Sequence, residues 1–301
     1  MSGNMMLLAA SGGGGNPFTG LTLTLSGAPI STGARADPLA NTSLYTAAGS
    51  VLPAGATYSN GYIYFDIYPG TYTVVMKGAE GSGTQHGYGA TINATMVSTV
   101  TARMIALIGY AGAGSYGGGG MSALALSAGG DTYSGATAIL VAGGGGGGYS
   151  TLQAQADGGD TSWSSTTRRG TNTDCSPYGG IYDAGAPFVN GAHIVTQYNC
   201  TTGSEAARAF TNGALGGKTT ACSDPGGFGG GGGGCPGGGG GYYGGLAGGN
   251  SPTQSGGGGG TSYRLTSGGV YISAWSDGSL NGSSRTANPG TAHGYISIVK
   301  A

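Results

Sequence analysis

Charge is what this chain has least of. Ten Lys and Arg stand against eleven Asp and Glu, 7% of 301 residues, for a net charge of −1. That balance excludes the basic footprint of a nucleic-acid binder, and nucleic acid is not an expected partner. Histidine and cysteine are scarce too. None of Cys175, Cys200, Cys222 and Cys235 forms a C-x-x-C pair, and His86, His193 and His293 are scattered, so no metal site and no cofactor are expected. No apolar run approaches the roughly 20 residues that span a bilayer, so membrane insertion is not expected. Helical periodicity beyond two turns is missing, with Gly203 to Phe210 the one short exception. The N-terminal Met1 to Ser11 holds an apolar patch, Met5 to Ala10, without the basic start or length of a secretory signal. The expectation is a chain that is already mature or one that never takes a secretory route.

Glycine, by contrast, occupies 72 positions. Each costs roughly 0.5–1 kcal/mol of backbone entropy beyond alanine, a handicap on the order of tens of kcal/mol for the chain. Either the runs are flexible linkers or they pack backbone to backbone. Disordered chains combine high charge with few aromatics, whereas this one has little charge and 19 Tyr. Packing is therefore the expectation. Runs without side chains must satisfy their amides with each other. An extended threefold helix of the polyproline II type, with every peptide group pointing outward, allows that. The candidate scaffold positions are Gly143, Gly146, Gly229, Gly232, Gly238 and Gly258.

Strand patterns fill the spaces between. Leu21 to Leu25 alternates apolar with polar residues, and Tyr62 to Tyr68 is rich in strand formers, with Pro69-Gly70 as the turn of a hairpin to Thr71–Met76. Ala90–Met96, Val100–Ile108, Met121–Leu126, Thr137–Val141, Gly269–Trp275 and His293–Val299 read as further strands. The last is expected to close a sheet beside Thr71–Met76. The organisation expected is residues 1–15 as an anchor, 16–58 as a β-rich segment and 59–301 as a glycine-rich domain with variable loops over 150–225.

Four cysteines allow three pairings. Cys175–Cys200 with Cys222–Cys235 closes the shortest loops; four reduced thiols are the other reading. Disulfides would place the working form outside cells.

Several residues together carry a resemblance. They are Tyr72 to Ala79, Ile105 to Gly109, Ile139 to Gly143, the run Gly226-Gly-Phe228-Gly to Gly234-Cys235, Gly240 to Gly245, and His293 to Ile298. This order resembles the extracellular glycine-rich domain of anaplastic lymphoma kinase and leukocyte tyrosine kinase, over roughly residues 60 to 300. The resemblance implies an all-β fold, a β-sandwich of the tumour necrosis factor type with an inserted polyglycine II helix bundle. It further implies that Cys222 and Cys235 pair and staple the bundle's end. No membrane span or kinase domain accompanies it, and the receptors' charged ligand-contacting surface has no counterpart. Glycine-rich domains of this kind are also similar to bacteriophage fibre proteins and adhesin tips.

Catalytic sets do not emerge. Asp157, Asp160, Asp174 and Asp183 fall in one loop segment, yet nothing in their spacing demands the paired carboxyls of glycan hydrolysis. Gly130-Asp131 and Gly159-Asp160 lack the alternating oxygen ligands of a calcium loop. Gly217-Lys218-Thr219 lacks the first glycine of a phosphate loop, Gly213 standing one position late. No enzymatic activity is expected. Aromatics in turn-rich polar sequence suit binding better. Trp163, Tyr178, Tyr182, His193 and Tyr198 are the candidate receptor- or glycan-binding residues, with Trp275 beside them.

The expected function is that of a bacteriophage virion structural protein of tail-fibre or tail-tip type, displaying loops for host recognition at the virion surface. Its expected partners are other virion proteins and a host-surface receptor or glycan; a homo-oligomer is compatible. A capsid decoration protein and a secreted or cell-surface ligand-binding module are the alternatives.

Overall fold

The computed structural model describes residues 17–25, 50–83, 86–148, 207–218, 224–233, 237–245, 257, 259–277 and 293–301. In chain order the strands are β1 (Leu21–Leu23), β2 (Thr57–Ser59), β3 (Tyr62–Ile67), β4 (Gly70–Lys77), β5 (Thr91–Ser98), β6 (Ala102–Leu107), β7 (Ser122–Leu126), β8 (Thr137–Ala142), β9 (Tyr263–Arg264), β10 (Val270–Asp277) and β11 (Tyr295–Lys300). They form two antiparallel sheets, β1-β11-β4-β5-β10 and β2-β3-β6-β7-β8-β9. The described residues are thus all-β, apart from a single 3-10 turn at Phe210–Asn212. Among them no helix is long and apolar enough to cross a membrane.

Side-chain period explains the layering. In β4 and β5 every second residue points inward: Tyr72, Val74 and Met76, then Ile92, Ala94 and Met96, all buried. Thr71, Thr73 and Asn93 between them are exposed. Ile63, Phe65, Ile67, Leu124 and Leu140 of the second sheet meet this inner face in one apolar cluster. The second sheet is also covered on its other face. There Tyr62, Tyr64, Ile105, Leu107 and Val141 pack with Phe210, Ala214 and Phe228.

β11 lies beside β4, with Ile296 opposite Met76 and Ile298 opposite Val74, as the sequence pattern predicts. The predicted hairpin is not formed. β3 pairs with β2 and β6, while β4 pairs with β5 and β11, so Pro69-Gly70 carries the chain from one sheet to the other. The hairpin stands one strand earlier. Asn60 (φ 53°) and Gly61 (φ 84°) form the two-residue loop between β2 and β3, with the positive φ pair that such loops require.

The tyrosines of the outer cluster set an alkaline limit. Tyr62 stacks on Tyr133 at 4.6 Å and meets Phe210 and Phe228 edge-on, and its hydroxyl donates to the Phe210 carbonyl. Burial pushes Tyr62 well above the ordinary tyrosine value; burial, then Tyr133 and Asp131, push Tyr64 up to about 12. The unfolded chain loses these protons near 10, whereas the native state keeps them. The stability they contribute is therefore full below pH 10 and is lost as pH rises toward 12. Denaturant midpoints are expected to fall across that interval, and less steeply in Tyr64→Phe. Midpoints that stay level would contradict the assignment.

Candidate functional site

Strands of both sheets run on into glycine at the same end. β4, β6 and β8 continue into 78–83, 109–114 and 143–148; β5, β7 and β9 are entered from 86–90, from 117–121, and from 257 and 259–262. Their antiparallel pairing places all six extensions together. Residues 216–218, 224–233 and 237–245 join them through main-chain bonds.

Hydrogen bonds among these segments recur every third residue. Gly87 and Ala90 donate to the carbonyls of Gly146 and Gly143; Gly144 and Gly147 donate to Gly240 and Gly237. Gly257 and Gly260 donate to Gly147 and Gly144, and Gly145 and Gly148 donate to Ala79 and Ser82. Gly119 donates to Gly145. Residues 143–148 are thus ringed by five segments. A repeat of three is neither the two of a strand nor the 3.6 of an α-helix.

The spacing leaves no room for side chains. A Cβ on Gly143, Gly144, Gly145 or Gly147 would fall within 3.0 Å of the main-chain oxygen of Gly260, Gly119, Gly87 or Tyr116 respectively. Apolar rings plug the flank instead. Phe228 is fully buried, its ring edge-on to Tyr110 at 5.4 Å, and its carbonyl accepts the Tyr110 N–H. Gly229 (φ 97°) and Gly230 (φ 78°) then reverse the chain, so that the Gly231 N–H returns to Gly227 O. Tyr242 lies flat on Tyr263 at 3.9 Å, and the Tyr242 and Tyr243 amides donate to Thr261.

Of the scaffold glycines expected from sequence, Gly143, Gly146, Gly232 and Gly238 accept, donate or do both in these inter-segment bonds, and Gly229 stands at the reversal. Gly258 lies outside the described residues, as do Cys175, Cys200, Cys222 and Cys235. Trp163, Tyr178, Tyr182, His193 and Tyr198 lie outside them as well. Trp275 sits on β10, where the Arg264 guanidinium lies 5.1 Å from its ring and links the edges of the two sheets.

The two ends of the molecule differ. At one lie the turns 68–69, 99–101, 127–136 and 265–269, together with residues 17–20 and Ala301. There Arg103 holds Asp131 at 2.7 Å and Asp66 at 3.2 Å, and Thr57 bonds to both Arg103 and Asp131. The Thr57 hydroxyl and Arg103 keep the Asp131 carboxyl below its usual range. At the bundle end, the chain leaves the described residues after Gly83, Gly148, Lys218 and Gly233 and returns at His86, Asp224 and Gly237. Arg208 donates to Leu215 O, so 207–209 runs antiparallel to 214–216 and Ala207 also faces that way. β1 and β10 point to the same side, since Leu23 pairs with Ile296 and Asp277 with Ile92, and the chain leaves the described residues beyond them after Leu25 and Asp277.

Two acidic side chains are buried near this end. Asp224 accepts the N–H groups of Ser115 and Tyr116, yet burial outweighs them and pushes its carboxyl up. Glu80 faces the imidazole of His86. The scattered histidines gave no sign of this pairing in sequence, because no period links positions 80 and 86.

Comparison of the chain with protein-family models gave no match. Comparison with curated protein sequences gave none either.

Proposed function

We propose that this chain is a bacteriophage virion component of the fibre or tail-tip type, which holds host-recognition loops on a rigid glycine scaffold. The observation that carries the reading is the polarity of the fold. The segment 149–206 contains Trp163, Tyr178, Tyr182, His193 and Tyr198, and it departs from the bundle end, as do 219–223 and 234–236. The opposite end has closed turns and is where the described chain begins, at residue 17; the reading assigns residues 1–15 to attachment within the particle. Recognition loops carried on a stiff support are a common division of labour.

In this reading the glycine segments are polyglycine II helices and the sandwich is of the tumour necrosis factor type. The repeat of three and the absence of hydrogen bonds within 143–148 support the first. The order of strands continuing into glycine, together with the Gly-Gly-Phe-Gly run, supports the second by analogy of fold.

Alanine at both Trp163 and Tyr182 is expected to reduce host attachment by about tenfold or more, as loss of aromatic anchors does, with the thermal midpoint unchanged. Attachment at the parental level by a folded variant would remove the recognition role. Copy number per particle separates the fibre reading, with a handful of chains, from capsid decoration, with hundreds.

A further inference from the structure

The outer face of the sheet β1-β11-β4-β5-β10 lies apart from both the apolar core and the bundle. Its outward positions follow from strand alternation. Thr22 stands between buried Leu21 and Leu23, and it pairs with Ser297 on one side and Val51 on the other. Ser297 pairs with Val75, Val75 with Asn93 and Asn93 with Ser276, so one outward row crosses the whole sheet. In the next row Val299 pairs with Thr73, and Thr73 with Thr95. Val51 at 53% and Val299 at 54% are the two most exposed large apolar side chains among the described residues.

Charge is nearly missing from this face. The outward positions of β4, β5 and β11 hold no Asp or Glu and a single cation, Lys77, at the bundle end of β4. A highly charged partner finds little there to pair with. Hydroxyls behave differently. Each both donates and accepts, so a face of Thr and Ser can bond to its own kind. Valines and threonine methyls meet their like without burying a charge, as the centre of an interface requires. Thr, Ser, Val and Asn are also short enough for the spacing of about 10 Å at which two sheets pack face to face.

Size sets the strength. Each strand residue tiles about 16 Å² of sheet, from strands about 4.8 Å apart and a rise of about 3.4 Å. The five strands of this sheet therefore spread over roughly 500 Å², and two such faces would cover roughly 1,000 Å². That is the lower bound for a specific pair, and it belongs with weak, reversible association.

We infer that a second copy of this chain docks here, sheet against sheet about a two-fold axis, with micromolar affinity. Sedimentation equilibrium of the full chain from about 1 μM to about 1 mM tests this. Monomer is expected to pass reversibly to dimer and to stop there, because such a contact closes at two copies. A chain that stays monomeric, or that grows beyond two copies, overturns the inference. Thr73→Lys sets a cation at the middle of the central strand, and its copy brings a second one close by. The dissociation constant should rise about a hundredfold or more. Ser59→Lys, at an exposed position on the other sheet, should leave it unchanged. Equal constants in the two variants overturn the inference. Should Thr73→Lys not fold, hydroxyl-radical footprinting of the parent decides. Protection of Tyr295 and Val299 on concentrating the chain supports the pair, and equal labelling overturns it. None of these measurements involves a host, so the pairing and the attachment role stand or fall separately.

Discussion

Gly144→Ala is expected to disrupt the bundle, at a cost of about 3 kcal/mol or more, the upper end of the usual overpacking penalty. The added methyl would fall within 3.0 Å of the Gly119 and Gly120 carbonyl oxygens and of the Gly119 carbonyl carbon. These are main-chain atoms and cannot rotate away. Relief would require separating 143–148 from 117–120, which breaks bonds such as Gly119 to Gly145 and strands buried amides. Gly129→Ala supplies the contrast. Nothing lies within 4 Å of its added carbon, and its φ is not positive. Reduced freedom of the unfolded chain should leave it neutral or more stable by about 0.4–1 kcal/mol. Denaturant unfolding of both variants checks the pair. Equal stabilities would mean that 143–148 is not packed as described.

Phe228→Ala is expected to cost about 3–5 kcal/mol, the range for emptying a large buried ring site. Phe228 is fully buried between Tyr62 and Tyr110, at ring distances of 6.1 Å and 5.4 Å. It is the one large apolar side chain in the run 226–234, so it fastens that run to the outer face of the second sheet. Relaxation into the void is limited, because the neighbouring positions are glycines already held by main-chain bonds. The unfolding midpoint reports the loss. A change under 1 kcal/mol would show that the ring is not an anchor.

How much of this was legible in the sequence depends on where the information resides. Strands such as β4 and β5 announce themselves because side chains alternate between core and solvent. The partnership of β11 with β4 follows from the way a chain returns to close a sheet. The Pro69-Gly70 turn misled because local turn chemistry is the same whether the next strand pairs with its predecessor or crosses to the facing sheet. A better sign lay in β3 itself, where Tyr62, Ile63, Tyr64 and Phe65 are all apolar and all buried, as in a strand covered on both faces. β9, only two residues long, has no pattern to read. Within the glycine runs the period is carried by peptide groups alone, so the letters cannot display it. The same silence hid Glu80 and His86, which meet without a helical or strand spacing.

The repeat of three has a consequence for how such a molecule can change length. Each peptide along 143–148 is aimed a third of a turn from the one before it, toward a different neighbour. Adding or removing one or two residues would re-aim every amide beyond that point at the wrong strut. In the polyglycine II reading proposed above, a whole triplet would restore the aim and shift the free end by roughly 9 Å, at 3.1 Å per residue. On that reading, growth of the support would be quantised in units of three residues.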